Sequence, residues 1–144
     1  HRLEFIKEID GVKWYNDSIG TSPTRTIAGL KSFDEKIVLI AGGYDKHLDY
    51  TPIAKPIIEN VSSLILIGAT SKKIFSAVSQ ELEEEGKTLD IYQCESLEET
   101  VQTAYRVAKK GEIVLFSPAS ASFDMFKNFA ERGNKFKDLV NKMN

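Results

Sequence analysis

Unbroken apolar runs of four or five residues recur along this chain, separated by stretches in which apolar positions fall three or four apart. Ile37–Ala41, Leu64–Ile67 and Ile113–Phe116 are such runs, and they predict strands buried on both faces of a parallel sheet. Leu89–Tyr92 predicts a further short strand. Leu3–Ile9 and Val12–Asn16 flank Asp10-Gly11, a dipeptide suited to a tight hairpin because glycine tolerates positive φ. Between the strands the spacing becomes helical. Ser22 and Pro23 suit an N-cap and first turn, with Ile27, Ala28, Leu30 and Phe33 following at helical spacing. A second helix is predicted from Thr51-Pro52 to Asn60, and a third over Ser71–Glu85 with Ile74, Phe75, Val78 and Leu82 on one face. Ser96-Leu97-Glu98-Glu99 reads as a capping box, opening a helix that carries Leu97, Val101, Ala104, Tyr105 and Ala108 and stops at Gly111. One or two helices complete the chain. Strands alternating with helices predict an α/β fold: a Rossmann-like, mostly parallel sheet of about six strands with helices on both faces, the hairpin adding an antiparallel strand. With no repeat, linker or low-complexity tract, residues 1–144 are expected to form a single domain.

Composition narrows the function classes. The chain is 42% hydrophobic and 28% charged, an ordinary globular balance. Its net charge of −2 argues against nucleic acid or an anionic membrane as partner. Cys94 is the single cysteine, so an internal disulfide framework and a cysteine-built zinc site are excluded. It follows a predicted strand and is expected to be packed rather than reactive. The longest apolar stretch falls well short of the ~20 residues that span a bilayer, and His1-Arg2-Leu3-Glu4 is no signal-peptide core, so a cytoplasmic location is expected. The missing initiator Met points to a fragment or a processed chain.

Three segments carry candidate chemistry. Tyr15–Thr24 joins a strand to a helix start, where free amides and the helix dipole favour an anion. Thr21 and Ser22 add hydroxyl donors, and Asp17 suits ribose hydroxyls or a magnesium ion. Taken alone, turn formation and N-capping account for the same residues somewhat better than an anion site does. Ala41–His47 follows the central strand, and its two glycines allow a sharp turn where α/β crevices lie, with Lys46 as the cation. It is neither a phosphate loop nor G-x-G-x-x-G, and a plain loop with a solvated lysine remains open. His47 is expected to be a loop histidine. Ser117–Phe136 offers Ser117, Ser120 and Ser122 as donors to a carboxylate. A serine nucleophile is not expected, because there is no G-x-S-x-G elbow and His1 and His47 are the only histidines. Phe123, Phe126, Phe129 and Phe136 read as a core stripe, and Lys127, Glu131 and Arg132 as solvated or paired. No cluster with metal-ligand spacing is present, so no metal site is expected on this chain.

These motifs together resemble the C-terminal domain of the Mur ligases. His1-Arg2-Leu3-Glu4, Gly11-Val12 and Trp14–Ser18 are similar to its opening. Gly42-Gly43-Tyr44-Asp45-Lys46 and Ser117–Phe136 are similar to the D-glutamate-adding member, as is Asn16-Asp17-Ser18 where sister ligases carry a different motif. The resemblance implies a three-domain enzyme in which the missing central domain holds ATP and Mg2+ and another domain holds the substrate UDP-N-acetylmuramoyl-L-alanine. ATP phosphorylates the substrate carboxylate, and the amine of D-glutamate attacks the acyl phosphate. It implies Thr21 and Lys46 as ligands of one D-glutamate carboxylate, and Ser122 and the Phe129 backbone as ligands of the other, with Phe123 shaping that pocket. It implies Arg2 near the ATP phosphates, Asp17 near the ribose, and His1 as the catalytic-edge residue between domains. Some members have lysine at the position of Ile19, so here that positive charge must come from elsewhere. The fragment alone is expected to hold no cofactor and to turn nothing over. Its partner is the enzyme's own central ATP-binding domain, and a monomer is expected. A stand-alone α/β module for an anionic metabolite stays open beside it. A nicotinamide-binding domain does not, because G-x-G-x-x-G is absent.

Overall fold

The computed structural model describes residues 1–123 and 125–143. Six strands form one sheet: β1 (Glu4–Ile9), β2 (Val12–Asn16), β3 (Ile37–Ala41), β4 (Val61–Ile67), β5 (Asp90–Cys94) and β6 (Ile113–Phe116). Their spatial order is β1-β2-β6-β3-β4-β5. The β1–β2 hairpin turns at Asp10-Gly11, both at positive φ, and is antiparallel. Every other pairing is parallel. The helices are α1 (Pro23–Leu30), α2 (Ala54–Asn60), α3 (Ser71–Glu85), α4 (Leu97–Val107) and α5 (Phe129–Asn141), with a 3-10 turn at Thr51–Ile53 leading into α2. None of them is long and apolar enough to cross a membrane.

The period-2 geometry of the strands divides the core. Ile37, Leu39 and Ala41 of β3 pack with Leu30 of α1, Ile57 of α2 and Ile74 and Val78 of α3. Val38 and Ile40 point the other way, to Leu97, Val101 and Ala104 of α4 and Phe136 and Val140 of α5. There Phe136 stacks on Phe116 with ring centroids 4.6 Å apart and tilts against Trp14 at 6.4 Å.

The structure differs from the sequence expectations in detail. β4 starts three residues early, its Ser63 buried within the sheet. β5 runs on to Cys94, which is buried. α4 stops at Val107, where Ala108 turns extended. Glu99 accepts from the Glu95 amide rather than from Ser96, so the capping box closes one residue further out. Ser22 occupies the N-cap position of α1 without a side-chain capping bond. Ala28 and Phe75 sit at helical spacing with core residues yet are exposed, Phe75 to 49%. One helix, α5, completes the chain.

Candidate functional site

β3 and β6 are parallel neighbours, but the chain leaves β3 toward the α2 face and leaves β6 toward the α5 face. Loops that part in this way open a crevice at the carboxyl ends of the strands. β2 lies on the other side of β6, so all three candidate segments meet at this edge. Backbone hydrogen bonds stitch them together. Asp17 N donates to Phe116 O at 2.8 Å, Ala119 N to Gly20 O at 2.7 Å, Gly42 N to Pro118 O at 2.8 Å and Tyr44 N to Ala121 O at 2.8 Å. Gly43 is required by this closeness, since a Cβ there would lie 2.6 Å from Ala121 O, and its φ is +156°.

A chain of buried hydroxyls lies beneath. Tyr50 donates to Ala119 O at 2.9 Å, so its 2.8 Å contact with Ser120 must be Ser120 donating. Thr70 then donates to Ser120 at 2.9 Å and accepts from the Gly43 amide at 3.0 Å. With one proton per hydroxyl, the chain runs in one direction from the lysine loop to the serine loop. Burial holds the Tyr50 phenol above its usual range, which keeps it a donor.

Of the residues expected to meet the amino acid, Lys46 is exposed and its Nζ lies 5.2 Å from the Phe123 ring centroid. Phe123 is 59% exposed and stands edge-on to Tyr44 at 5.9 Å. Ser122 is buried beside it, and its carbonyl accepts from the Met125 and Phe126 amides. Thr21 is half-buried and follows the stitched Gly20. Phe129 opens α5, edge-on to His1 at 5.8 Å, and its carbonyl accepts from Ser18 Oγ at 2.7 Å. The core stripe is therefore corrected: Phe136 alone of the four is fully buried, while Phe123 and Phe129 flank the crevice. Asp124 lies outside the described residues.

On the other side of the β2 loop, Asp17 is buried, accepting from the Leu3 amide at 3.1 Å and Ser117 Oγ at 2.7 Å. Burial pushes its carboxyl above the usual range, against these bonds and the nearby Arg2 and Arg25. Arg2, Asp17 and Arg25 line one cavity of about 150 Å3. Arg25 was not singled out from sequence, since nothing marks an arginine in a helix's first turn as pointing back over the preceding loop. His1 accepts at Nδ1 from the Asn16 amide at 2.9 Å, which leaves its ring proton on Nε2. The Asn16 oxygen is committed to the Ser18 amide, fixing that orientation.

Arg132 is the larger omission. Expected to be solvated or paired, it is only 4% exposed and its guanidinium hydrogen-bonds Ser18 and Ser120. Asp45 is engaged in an ion pair with Lys73 at 2.8 Å, and His47 is an exposed loop residue with φ +61°. The cavity of about 390 Å3 between residues 48–51 and α3 is lined by none of the expected site residues. Among the described residues, no three His, Cys, Asp or Glu side chains group as a metal site.

Residues 1–120 match the family model described as "Mur ligase, glutamate ligase domain". The chain belongs to this family. The match takes in the Arg2–Asp17 cavity and the Lys46 loop of the glutamate ligase domain, and ends just before Ser122. Pairwise comparison reaches further. The chain is 58% identical over 143 residues to a UDP-N-acetylmuramoylalanine--D-glutamate ligase of Acetivibrio thermocellus, covering 98% of this chain and 31% of that protein. It is 52% identical over 141 residues to the protein of the same name in Clostridium perfringens, again covering 98% and 31%. The domain thus spans about a third of the length of these relatives. Among solved structures, it superposes on a murein peptide ligase of Psychrobacter arcticus with a TM-score of 0.62 at 10% identity, covering 99% of this chain and 30% of that one. It also superposes on a single domain of a putative UDP-N-acetylmuramate ligase of Haemophilus ducreyi with a TM-score of 0.59 at 15% identity, covering 96% and 99%. At these identities the likeness is one of fold.

Proposed function

We propose that this chain is the C-terminal, amino-acid-binding domain of an ATP-dependent ligase that joins D-glutamate to UDP-N-acetylmuramoyl-L-alanine in peptidoglycan synthesis. The observation that carries it is the 58% identity to a protein named for that reaction, over a span of 143 residues that takes in all three crevice loops. The geometry supports it chemically. A dicarboxylate needs cationic and hydroxyl or amide donors at two points, and the crevice carries Lys46 on one rim and Ser122 with the α5 start on the other. Thr21 joins Lys46 on the first carboxylate, and the Phe123 ring walls the second.

The Arg2–Asp17–Arg25 cavity fits part of a nucleotide. Two guanidinium groups suit phosphate oxygens, and a buried carboxylate with spare lone pairs suits ribose hydroxyls. ATP supplies the phosphoryl group that activates the acceptor carboxylate. On this chain Arg2 and Arg25 neutralise phosphate charge, Asp17 orients the sugar, and His1 presents Nε2–H at the edge facing the central domain. Magnesium is a matter for that central domain, and no role on this chain depends on it.

Lys46 decides the test. In the full-length enzyme, Lys46→Ala removes one charge-assisted bond, so the KM for D-glutamate rises about 10- to 100-fold while the KM for ATP stays close to that of the parent. A parent enzyme that releases no ADP in response to D-glutamate, or a variant with unchanged KM, refutes the assignment. On the 144-residue chain, an NMR titration with D-glutamate, with L-glutamate as control, reads the same site through the Gly43–Lys46 and Ser122–Phe129 amides.

A further inference from the structure

The first turns of α5 send a guanidinium inward, and charged groups are rarely taken there unless their donors are used. Arg132 Nε donates to Ser18 Oγ at 3.0 Å and Nη2 to the Ser18 carbonyl at 2.9 Å, so the fork grips one residue of the β2–α1 loop from two sides. Nη1 donates to the Ser120 carbonyl at 2.9 Å, in the β6–α5 loop. Ser18 Oγ, having accepted from Arg132, passes its own proton to the Phe129 carbonyl at 2.7 Å. On the third side, a Cβ added to Gly43 would stand 3.3 Å from Nη1, so the β3 loop passes close to the same group. The Phe116 ring centroid lies 5.8 Å from Cζ.

One side chain therefore hydrogen-bonds two of the loops that carry an expected amino-acid ligand and lies close to the third. Resting on the ligase reading above, we propose that Arg132 is the positioning residue of the amino-acid pocket, setting the Ser122–Phe129 arm against the Thr21 and Lys46 arms. A short dicarboxylic amino acid spans a fixed distance, and its two carboxylates are met together only when both arms stand at that separation. Arg132 is too buried, with Nε, Nη1 and Nη2 each donating to Ser18 or Ser120, to touch the substrate itself. It acts through Ser18 and Ser120. Lysine does not replace it, because a single ammonium cannot reproduce a planar fork reaching two loops at once.

The test is steady-state kinetics of the full-length ligase carrying Arg132→Lys, with Ser18→Ala as a second variant that leaves the guanidinium in place. For Arg132→Lys the KM for D-glutamate rises about 10- to 100-fold, as expected for an arm misplaced by about 1 Å, while the KM for ATP and the kcat at saturating D-glutamate change by less than about threefold. Ser18→Ala shifts the same constant in the same direction by about 3- to 10-fold, because one link of several is lost. An unchanged KM for D-glutamate in both variants overturns the assignment. So does a parallel fall of kcat with the folded fraction at constant KM, since that marks a residue that only holds the fold. A parent enzyme without D-glutamate-dependent ADP release overturns the ligase reading instead, and the two failures are thereby distinguished.

Discussion

Ser120→Ala removes the middle of the hydroxyl chain. Ser120 donates to Tyr50 and accepts from Thr70, so the substitution leaves the Thr70 proton and a Tyr50 lone pair facing a methyl group inside the protein. Its backbone carbonyl still receives Arg132, so that link survives. Two neutral hydrogen bonds are lost at a net 0.5–1.5 kcal/mol each, giving about 1–3 kcal/mol of destabilisation. At roughly 2.1 cal/mol/K of unfolding entropy per residue, 144 residues give about 0.3 kcal/mol/K, and Tm falls by about 3–10 °C. Thermal unfolding followed by circular dichroism measures this directly. A double-mutant cycle with Tyr50→Phe tests the mechanism rather than the loss alone. Both substitutions break the Tyr50–Ser120 bond, so the pair is destabilised by about 0.5–1.5 kcal/mol less than the sum of the singles. Additivity within about 0.3 kcal/mol would show that the hydroxyls do not act as one chain.

Asp17 gives a prediction with a definite sign. Its folded-state pKa is raised by burial, so the stability tied to its protonated form is complete below the unfolded value of 3.8 and is lost as pH rises through the folded value. Asp17→Asn escapes that loss. Its stability relative to the parent should therefore increase from about pH 4 to about pH 7, as read by chemical denaturation, and a difference that shrinks over this range contradicts the burial argument. Gly43→Ala forces a Cβ to within 2.6 Å of Ala121 O at φ +156°, and a loss of about 1–3 kcal/mol with weaker D-glutamate binding is expected; stability equal to the parent would mean that the loops separate freely. Cys94 is buried, and burial holds its thiol above the usual range, so alkylation at about pH 8 should follow global unfolding; fast labelling of native protein would show that β5 opens locally.

Much of this arrangement was legible where one physical term dominates. Ile37–Ala41 and Ile113–Phe116 are apolar at every position because both faces of a central strand are covered, and all their residues are buried. Gly42-Gly43 marked the sharp turn out of β3, because only glycine allows the close approach made there. The misreadings arose where two terms compete. A charged residue in a helix reads as solvated or paired, and Arg132 instead turns inward to oxygens of Ser18, 114 residues away, and of Ser120 in the preceding loop. Phe75 shares helical spacing with core residues but stands at the edge of the apolar face, where angular position decides exposure, and Phe123 falls in the loop before α5, where stripe spacing does not apply. Arg25 gave no signal at all, since its closeness to Asp17 depends on how α1 crosses the loop before it.

The central place of β6 bears on how this domain comes into being. The last strand to be synthesised lies between the second and the third, so the hairpin has no place in the parallel sheet until residues beyond Phe116 are available. Closing that gap joins Asp17 to Ser117, one hundred residues apart, and the loop entropy of doing so falls on a single late event. The three loops of the crevice come together in that same event. A nascent or truncated chain ending before β6 would hold a β3–β4–β5 fragment with β3 exposed as a sticky edge, and no crevice. Assembly of the crevice and completion of the fold are one step in this topology, so quality control that recognises an open β3 edge also removes copies whose crevice has not formed.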